Sequence, residues 1–170
     1  MRLFFALCFD EEMEKSILQV QNQLRQAGVR GRYTNKENLH LTLSFIGEYP
    51  NPKKVLQVAQ SIKHHGFSCQ SLYLQSFREM ILLRMRVDKS LYEYVDLLRE
   101  GLEEQKIPFD PKDFKPHITL IRQAFDYNSD MIRKIRIEKT ETLIEQVSLM
   151  SSTFEKQGVR YAEVGSVERI

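Results

Sequence analysis

The same four-residue pattern occurs twice in this sequence, each time on a segment that alternates like a β-strand. The segments are ENLHLTLSF at 37–45 and FKPHITLIR at 114–122, and each contains a His, an aliphatic residue, a Thr and a Leu in succession. Because side chains on a strand point to opposite faces in turn, the His and the Thr of each segment share one face, roughly 6–7 Å apart. The aliphatic residues point to the other face, so the pattern predicts two similar strands that each bury one side.

Strict alternation also assigns a face to the residues that follow each pattern. It places Ser44 beside Thr42 and turns Phe45 into the core. It places Arg122 on the face opposite His117, unless a twist or a bulge at the end of the strand brings it round.

Composition and charge exclude several classes of protein. The 170 residues are 42% apolar, which suits one large domain or two small lobes around a shared core. The net charge of +2 does not suggest non-specific binding to duplex nucleic acid. Cys8 and Cys69 are expected to be reduced and structural. A signal peptide and an apolar run of about 20 residues are both missing, which predicts a soluble, cytoplasmic protein.

Strand and helix patterns follow one another along the chain without a linker. Strands are predicted at 2–9, 39–47, 67–77, 80–87, 114–122, 143–154 and 159–168, and 29–34 is a strand or a loop. Helices are predicted after Asp10, Asn51 and Asp88, each of which suits an N-cap. The segment 125–140 is ambiguous. This order favours a duplicated α+β architecture with two lobes that face each other.

Two imidazoles and two hydroxyls that converge have a clear chemical use. Imidazoles titrate near neutral pH, so His40 and His117 could act as acid and base on opposite sides of one bond. The hydroxyls of Thr42 and Thr119 could donate hydrogen bonds to the non-bridging oxygens of a phosphodiester without adding charge. The four histidines offer no recognisable metal site. We therefore expect in-line displacement at phosphorus with no metal and no cofactor.

The paired patterns resemble the tandem His-x-Thr motifs of the 2H phosphoesterase superfamily. The surrounding sequence resembles the bacterial and archaeal RNA 2′,3′-cyclic phosphodiesterase branch, historically called 2′-5′ RNA ligases. The similar stretches span nearly the whole chain in the expected order: MRLFFAL, ENLHLTLSFIGE, FKPHITLIR and VSLMSSTFEKQGVRYAEV. In mid-chain the sequence departs from the family, because MILLRMRV replaces a stretch that often contains Trp and Gly.

The resemblance implies a fold, a reaction and the roles of four residues. The expected fold is a bilobal, duplicated α+β domain over residues 1–170, with pseudo-symmetric lobes, two mostly antiparallel sheets facing a central cleft, and outer helices. The expected reaction is metal-independent hydrolysis of an RNA or nucleoside 2′,3′-cyclic phosphate to a 2′-phosphomonoester. His40 would be the proton donor and His117 the proton acceptor, while Thr42 and Thr119 would bind the phosphate.

Several further residues are candidate substrate contacts. Lys115 and Arg122 flank the second motif and could contact a phosphate. Phe4, Tyr33 and Tyr161 lie near predicted cleft strands and could face a base.

Two other groups of residues can be placed from the sequence alone. Arg2, Arg30 and Arg32 could form one basic rim. The adjacent His64 and His65 are predicted to be a surface pair at the end of a helix rather than metal ligands.

Two alternative functions use the same pocket. One is cleavage or joining of a 2′-5′ phosphodiester, and the other is a non-catalytic module that binds RNA ends or nucleotides. In each case the expected partner is an RNA end or a nucleotide with a 2′,3′-cyclic phosphate. The protein is expected to be a monomer and not to bind membranes. The motif pair favours catalysis, since a binding site would more naturally hold phosphate with Arg or Lys.

Overall fold

The computed structural model describes residues 1–170 as an α+β fold with two antiparallel sheets. The strands are β1 (Arg2–Leu7), β2 (Arg30–Tyr33), β3 (Leu41–Glu48), β4 (Phe67–Phe77), β5 (Met80–Val87), β6 (His117–Phe125), β7 (Glu141–Ile144), β8 (Gln146–Glu155) and β9 (Gly158–Glu168). The helices are α1 (Glu11–Gln26), α2 (Pro52–Gln60), α3 (Lys89–Glu104) and α4 (Ser129–Arg133), with a 3-10 turn at Lys36–Asn38. The predicted fold class is confirmed.

Each sheet contains strands from both ends of the chain. The first sheet has the order β3-β1-β8-β9 and the second has the order β2-β6-β5-β4-β7. The two motif strands therefore lie in different sheets, β3 in the first and β6 in the second. A single cluster of 33 buried residues fills the interior and draws on both sheets and on helices α1 to α3. No helix is long and apolar enough to span a membrane.

Helix α1 follows a strand of the first sheet but packs on the second. It begins at Asp10, whose side chain accepts a hydrogen bond from the Met13 amide, as its sequence predicts. Its buried face carries Gln21, whose amide group donates to the carbonyl oxygens of Thr34 and Leu120. These bonds attach the helix to the end of β2 and to the middle of β6, next to Thr119, and so support the second motif strand on the side of the helix.

Several predicted boundaries differ from the structure. The predicted strand 143–154 is two strands that separate at Glu145: β7 pairs with β4 in the second sheet, and β8 pairs with β1 in the first. Strand β6 begins at His117 rather than at 114, and the ambiguous segment contains the short helix α4. Asp88 precedes α3 without capping it, because its carboxylate accepts a hydrogen bond from the Ser68 amide instead.

Each motif strand contains a β-bulge directly after its Thr. In β3 the pairing with β1 skips from Ser44 to Thr42, which leaves Leu43 as the extra residue. In β6 the pairing with β5 skips from Ile121 to Thr119, which leaves Leu120 as the extra residue. A bulge inserts one residue and reverses the alternation beyond it.

The bulges overturn three predictions from strict alternation. Ser44 is buried, whereas Phe45 is half-buried and lines the cleft. Arg122, predicted on the face opposite His117, lies on the same side as that histidine.

The predicted surface pair His64 and His65 is only half right. His65 is exposed, but His64 is buried beneath the turn that leads into β4. The His64 Nδ1 accepts a hydrogen bond from the Gly66 amide at 3.0 Å, so its Nε2 carries the proton and donates to the Val167 carbonyl oxygen at 3.0 Å. The ring also stacks on Phe67. His64 therefore joins the two sheets through β9 and β4.

Replacing His64 with Ala should lower the free energy of unfolding by about 2–4 kcal/mol, because the loss leaves a cavity and two backbone groups without their partner. Urea unfolding followed by circular dichroism measures the change. The matched control is His65→Ala, which should change stability by less than about 0.5 kcal/mol because its side chain is exposed. Equal effects of the two substitutions would contradict a structural role for His64.

Candidate active site

The two motifs meet at a small polar cavity between the sheets. Its volume is about 110 Å³, and no hydrophobic residue lines it. The lining residues are Thr34, Asn38, His40, Thr42, His117, Thr119 and Arg122. The structure thus brings together both histidines and both threonines singled out in the sequence, along with Arg122.

His40 is held by one backbone and one side-chain hydrogen bond. Its Nδ1 lies 2.7 Å from the Asn38 carbonyl oxygen and its Nε2 lies 3.0 Å from the Thr42 hydroxyl. A carbonyl oxygen can only accept, so Nδ1 carries the proton, and the neutral ring accepts from Thr42 at Nε2. The rings of Phe4 and Tyr161 lie 5.0 and 5.1 Å from the imidazole, centroid to centroid. These contacts exclude water from two sides of the ring.

Burial lowers the pKa of His40 to about 4. The hydrogen bond to Asn38 favours the charged imidazole, whereas the positive charge of Arg122 and the neighbouring His117 disfavour it. Without a bound anion, the ring is therefore neutral at physiological pH.

His117 repeats the local geometry of His40 on the second sheet. Its Nδ1 lies 2.7 Å from the carbonyl oxygen of Lys115, two residues earlier, so Nδ1 again donates. The pKa of His117 is also lowered, chiefly by burial and further by the charges of Arg84 and Arg122. Both rings thus keep Nε2 as the atom available for proton exchange with a ligand.

The bulge in β6 explains how Arg122 reaches the cavity. Leu120 and Ile121 are both buried, and the next residue emerges on the side of Thr119. The guanidinium charge lowers the pKa of both catalytic candidates, His40 and His117. The cavity thus holds one permanent positive charge beside two neutral imidazoles, which suits a ligand with negative charge.

Two larger grooves adjoin this cavity, one sharing His40 with it and the other sharing His117. The first has a volume of about 620 Å³ and includes Phe4, Tyr33 and Tyr161, the aromatic residues predicted from the sequence. The second has a volume of about 800 Å³ and includes Lys115. Thr42 lines the cavity and both grooves, so the three spaces are continuous.

The predicted basic rim is partly present. Arg2 and Arg32 line the first groove, but Arg30 lies outside it and faces Asp126 at 4.0 Å. Tyr33 lies at the edge of the groove, where its hydroxyl donates to the Val29 carbonyl oxygen at 2.6 Å.

Sequence reasoning missed several residues that shape the site. Asn38 and Thr34 line the cavity from the turns before β3 and after β2. Phe45 lines both grooves, with the Arg2 guanidinium 5.5 Å from its ring centre. The sequence does contain a pattern that could have identified Phe45. It lies five residues after His40, as Arg122 lies five residues after His117, so a bulge after the Thr of each strand would turn both toward the cleft.

Neither cysteine belongs to the site. Cys69 is buried and reduced, as predicted, whereas Cys8 is exposed despite its apolar neighbours in the sequence. Residues 1–170 contain no group of three or more His, Cys, Asp or Glu side chains that could hold a metal ion.

Two antiparallel sheets that each bring a His-x-Thr motif to one cavity agree with the resemblance to the 2H phosphoesterases found in the sequence. The LigT-like phosphoesterase family model matches residues 8–77. The RNA 2′,3′-cyclic phosphodiesterase of Escherichia coli K12 is 32% identical to this chain over 130 residues, which cover 72% of each protein. The enzyme of the same name from Thermotoga maritima is 28% identical over 173 residues, covering 95% of this chain and 91% of that protein. The chain therefore belongs to the LigT-like phosphoesterase family of the 2H superfamily, and the predicted family is confirmed.

Solved structures share the fold over almost the full chain. A protein from Thermus thermophilus superposes with a TM-score of 0.83 at 24% identity, covering 99% of this chain and 97% of that one. Escherichia coli LigT complexed with 3′-AMP superposes with a TM-score of 0.77 at 25% identity, covering 99% and 96%.

Replacing Arg122 with Met should raise the pKa values of both His40 and His117, because it removes a nearby positive charge. Proton NMR titration of the histidine ring signals measures both values. The control is Arg32→Met, which removes a charge from the first groove but not from the cavity. Unchanged histidine pKa values in Arg122→Met would show that the guanidinium does not act on the two rings.

Proposed function

We propose that this protein hydrolyses the 2′,3′-cyclic phosphate of an RNA end or a nucleotide to a 2′-phosphomonoester, using His40 as acid and His117 as base. The observation that carries the proposal is the convergence of His40, His117, Thr42 and Thr119 on one cavity of about 110 Å³. Such a cavity has room for a phosphate group but not for a nucleoside, which would extend into the grooves.

In the proposed reaction each ring exchanges a proton through Nε2, because its Nδ1 is bound to a backbone carbonyl oxygen. His117 accepts a proton from a water molecule, whose oxygen attacks phosphorus and forms the new P–O bond. His40 donates the proton from its Nε2 to the 3′ oxygen as the bond from that oxygen to phosphorus breaks. The assignment of the two roles rests on the family resemblance, because the local geometry of the two rings is the same.

Three side chains would hold the phosphate during this displacement. The Thr119 hydroxyl donates to a non-bridging oxygen, and so does the Thr42 hydroxyl once protonation of His40 at Nε2 releases it from that ring. Arg122 offsets the negative charge of those oxygens. Fixing those oxygens fixes the axis of attack, so that only one of the two bridging oxygens faces His40. A single product isomer should result.

Because the pKa of His40 is low, binding of the substrate has to raise it before the ring can act as a general acid. A ring with a pKa of about 4 is neutral at pH 7, yet a general acid must carry a proton. A phosphodiester brings a negative charge into the cavity, which stabilises the protonated ring and raises its pKa. Binding and activation are thereby coupled, since His40 becomes an acid when the phosphate is in place.

Relatives support a nucleotide ligand in this cleft. Escherichia coli LigT has been crystallised with 3′-AMP, with ATP and with phosphate. In this chain the first groove suits the terminal base, because the rings of Phe45 and Phe154 line it, with the Arg2 guanidinium 5.5 and 5.8 Å from their centres.

Turnover of a 2′,3′-cyclic mononucleotide in the presence of EDTA, followed by phosphorus NMR, tests the proposal. The wild-type protein should form only the 2′-phosphate. His40→Ala and His117→Ala should each lower kcat by about 10²- to 10⁴-fold, and the double variant should be little worse than the poorer single variant.

The matched control for these variants is His65→Ala, which should keep full activity because that ring is exposed and lines neither the cavity nor the two grooves. Full activity in His117→Ala would refute the acid–base pair. Loss of activity in EDTA that one divalent ion restores would replace the mechanism with a metal-assisted one. An equal mixture of 2′- and 3′-phosphates would refute the fixed axis of attack.

Binding of sulfate should strengthen as the pH falls from about 8 toward about 5, by up to about tenfold per pH unit for each proton taken up. The sign follows from the lowered pKa of His40: the free ring is neutral above about pH 4, and the bound anion favours the protonated ring. Isothermal titration calorimetry measures the affinity, and sulfate keeps its charge over this range. His40→Gln should reduce the slope. Affinity independent of pH would contradict coupled protonation.

A further inference from the structure

The second groove is floored by the exposed face of three adjacent strands. Strand β6 carries His117, and the pairing register places Arg84 of β5 beside it and Tyr73 of β4 beside Arg84. Two strand spacings therefore separate Tyr73 from the catalytic histidine, about 10 Å. The floor thus begins at the cavity and extends away from it across the sheet.

Two aromatic side chains stand exposed on this floor. The exposed fraction is 55% for Tyr73 and 47% for Phe77, and both line the groove. Both belong to β4, on one face with Gln75 between them, and about 13 Å of strand separates them. At that distance each ring would have to contact a different base. Exposed aromatic rings on a sheet are a recurring platform for single-stranded nucleic acid, because every base has a face that can stack.

Unpaired positive charges line the same groove as the two aromatic rings. Arg84, Arg99 and Lys115 line the groove and form no ion pair. The buried Nε of Arg99 has no hydrogen-bond partner in the protein.

The acidic residues of the groove only partly offset this charge. They are Asp110 and Asp113, and Asp110 pairs with Lys112 at 3.7 Å. The groove therefore retains free cations of the kind that hold a phosphate backbone.

We propose that this surface, formed by Tyr73, Phe77, Arg84, Arg99 and Lys115, binds the single-stranded RNA chain on the 5′ side of the terminal nucleotide. The proposal rests on the cyclic phosphodiesterase function proposed above. The base and the 5′ carbon leave a ribose in different directions, so a terminal nucleotide in the cavity can send its base into the first groove and its chain into the second. The preferred substrate is then an RNA oligonucleotide end rather than a free cyclic mononucleotide.

The test compares an RNA tetranucleotide that ends in a 2′,3′-cyclic phosphate with the corresponding cyclic mononucleotide. The wild-type protein should have the lower KM for the tetranucleotide, and that KM should rise more steeply with salt. Tyr73→Ala and Phe77→Ala should each raise the tetranucleotide KM by about 5- to 150-fold, the usual effect of losing one stacked base. Neither substitution should change kcat or the mononucleotide KM.

The matched control is Phe125→Ala, because Phe125 is exposed to a similar extent but lies outside both grooves. It should leave both KM values unchanged. Equal wild-type KM values for the two substrates would overturn the proposal, as would variants of Tyr73 and Phe77 that raise both KM values alike.

A second measurement separates this proposal from the proposed reaction. Fluorescence anisotropy reports binding of a labelled RNA tetranucleotide that ends in a 2′-phosphate, with no turnover required. Weaker binding by Tyr73→Ala and Phe77→Ala, but not by Phe125→Ala, supports the surface even if no cyclic phosphate is hydrolysed. Unchanged binding in both variants refutes the surface even if the mononucleotide is hydrolysed normally.

Discussion

Two hydrogen bonds of the same kind determine what this site can do. Each imidazole donates from Nδ1 to the carbonyl oxygen of the residue two positions earlier, Asn38 for His40 and Lys115 for His117. Each bond selects one tautomer and turns the other nitrogen, Nε2, toward the cavity. Because the donor and the acceptor are neighbours in the sequence, each motif carries its own means of orienting its ring. The sheets then only have to bring the two oriented rings to the same cavity.

The fold holds those two rings in a fixed relation. Each sheet combines strands from both ends of the chain, and one buried cluster of 33 residues joins them. Moving one motif away from the other would open this common core, which is costly because protein interiors are closely packed. The proposed acid and base need such rigidity, since in-line attack tolerates little error in angle.

Much of this arrangement could be predicted from the sequence, and the errors share a physical cause. Alternation correctly placed His40 beside Thr42 and His117 beside Thr119, because that rule holds within a regular stretch of strand. It failed at Phe45 and Arg122 because the extra residue directly after each Thr reverses the faces of the residues that follow. His64 was misplaced for another reason, since its burial depends on β9, which comes roughly a hundred residues later in the chain.

The asymmetry between the two rings comes from their surroundings rather than from their motifs. Phe4 and Tyr161 enclose His40, whereas His117 opens onto the second groove. A more enclosed ring loses more solvation when it is charged, so it gains more from a bound anion that replaces the water. His40 is therefore the ring whose protonation responds more strongly to an anion in the cavity. The residues packed around two identical local motifs can thus give the two rings different pKa values, as the proposed division into acid and base requires.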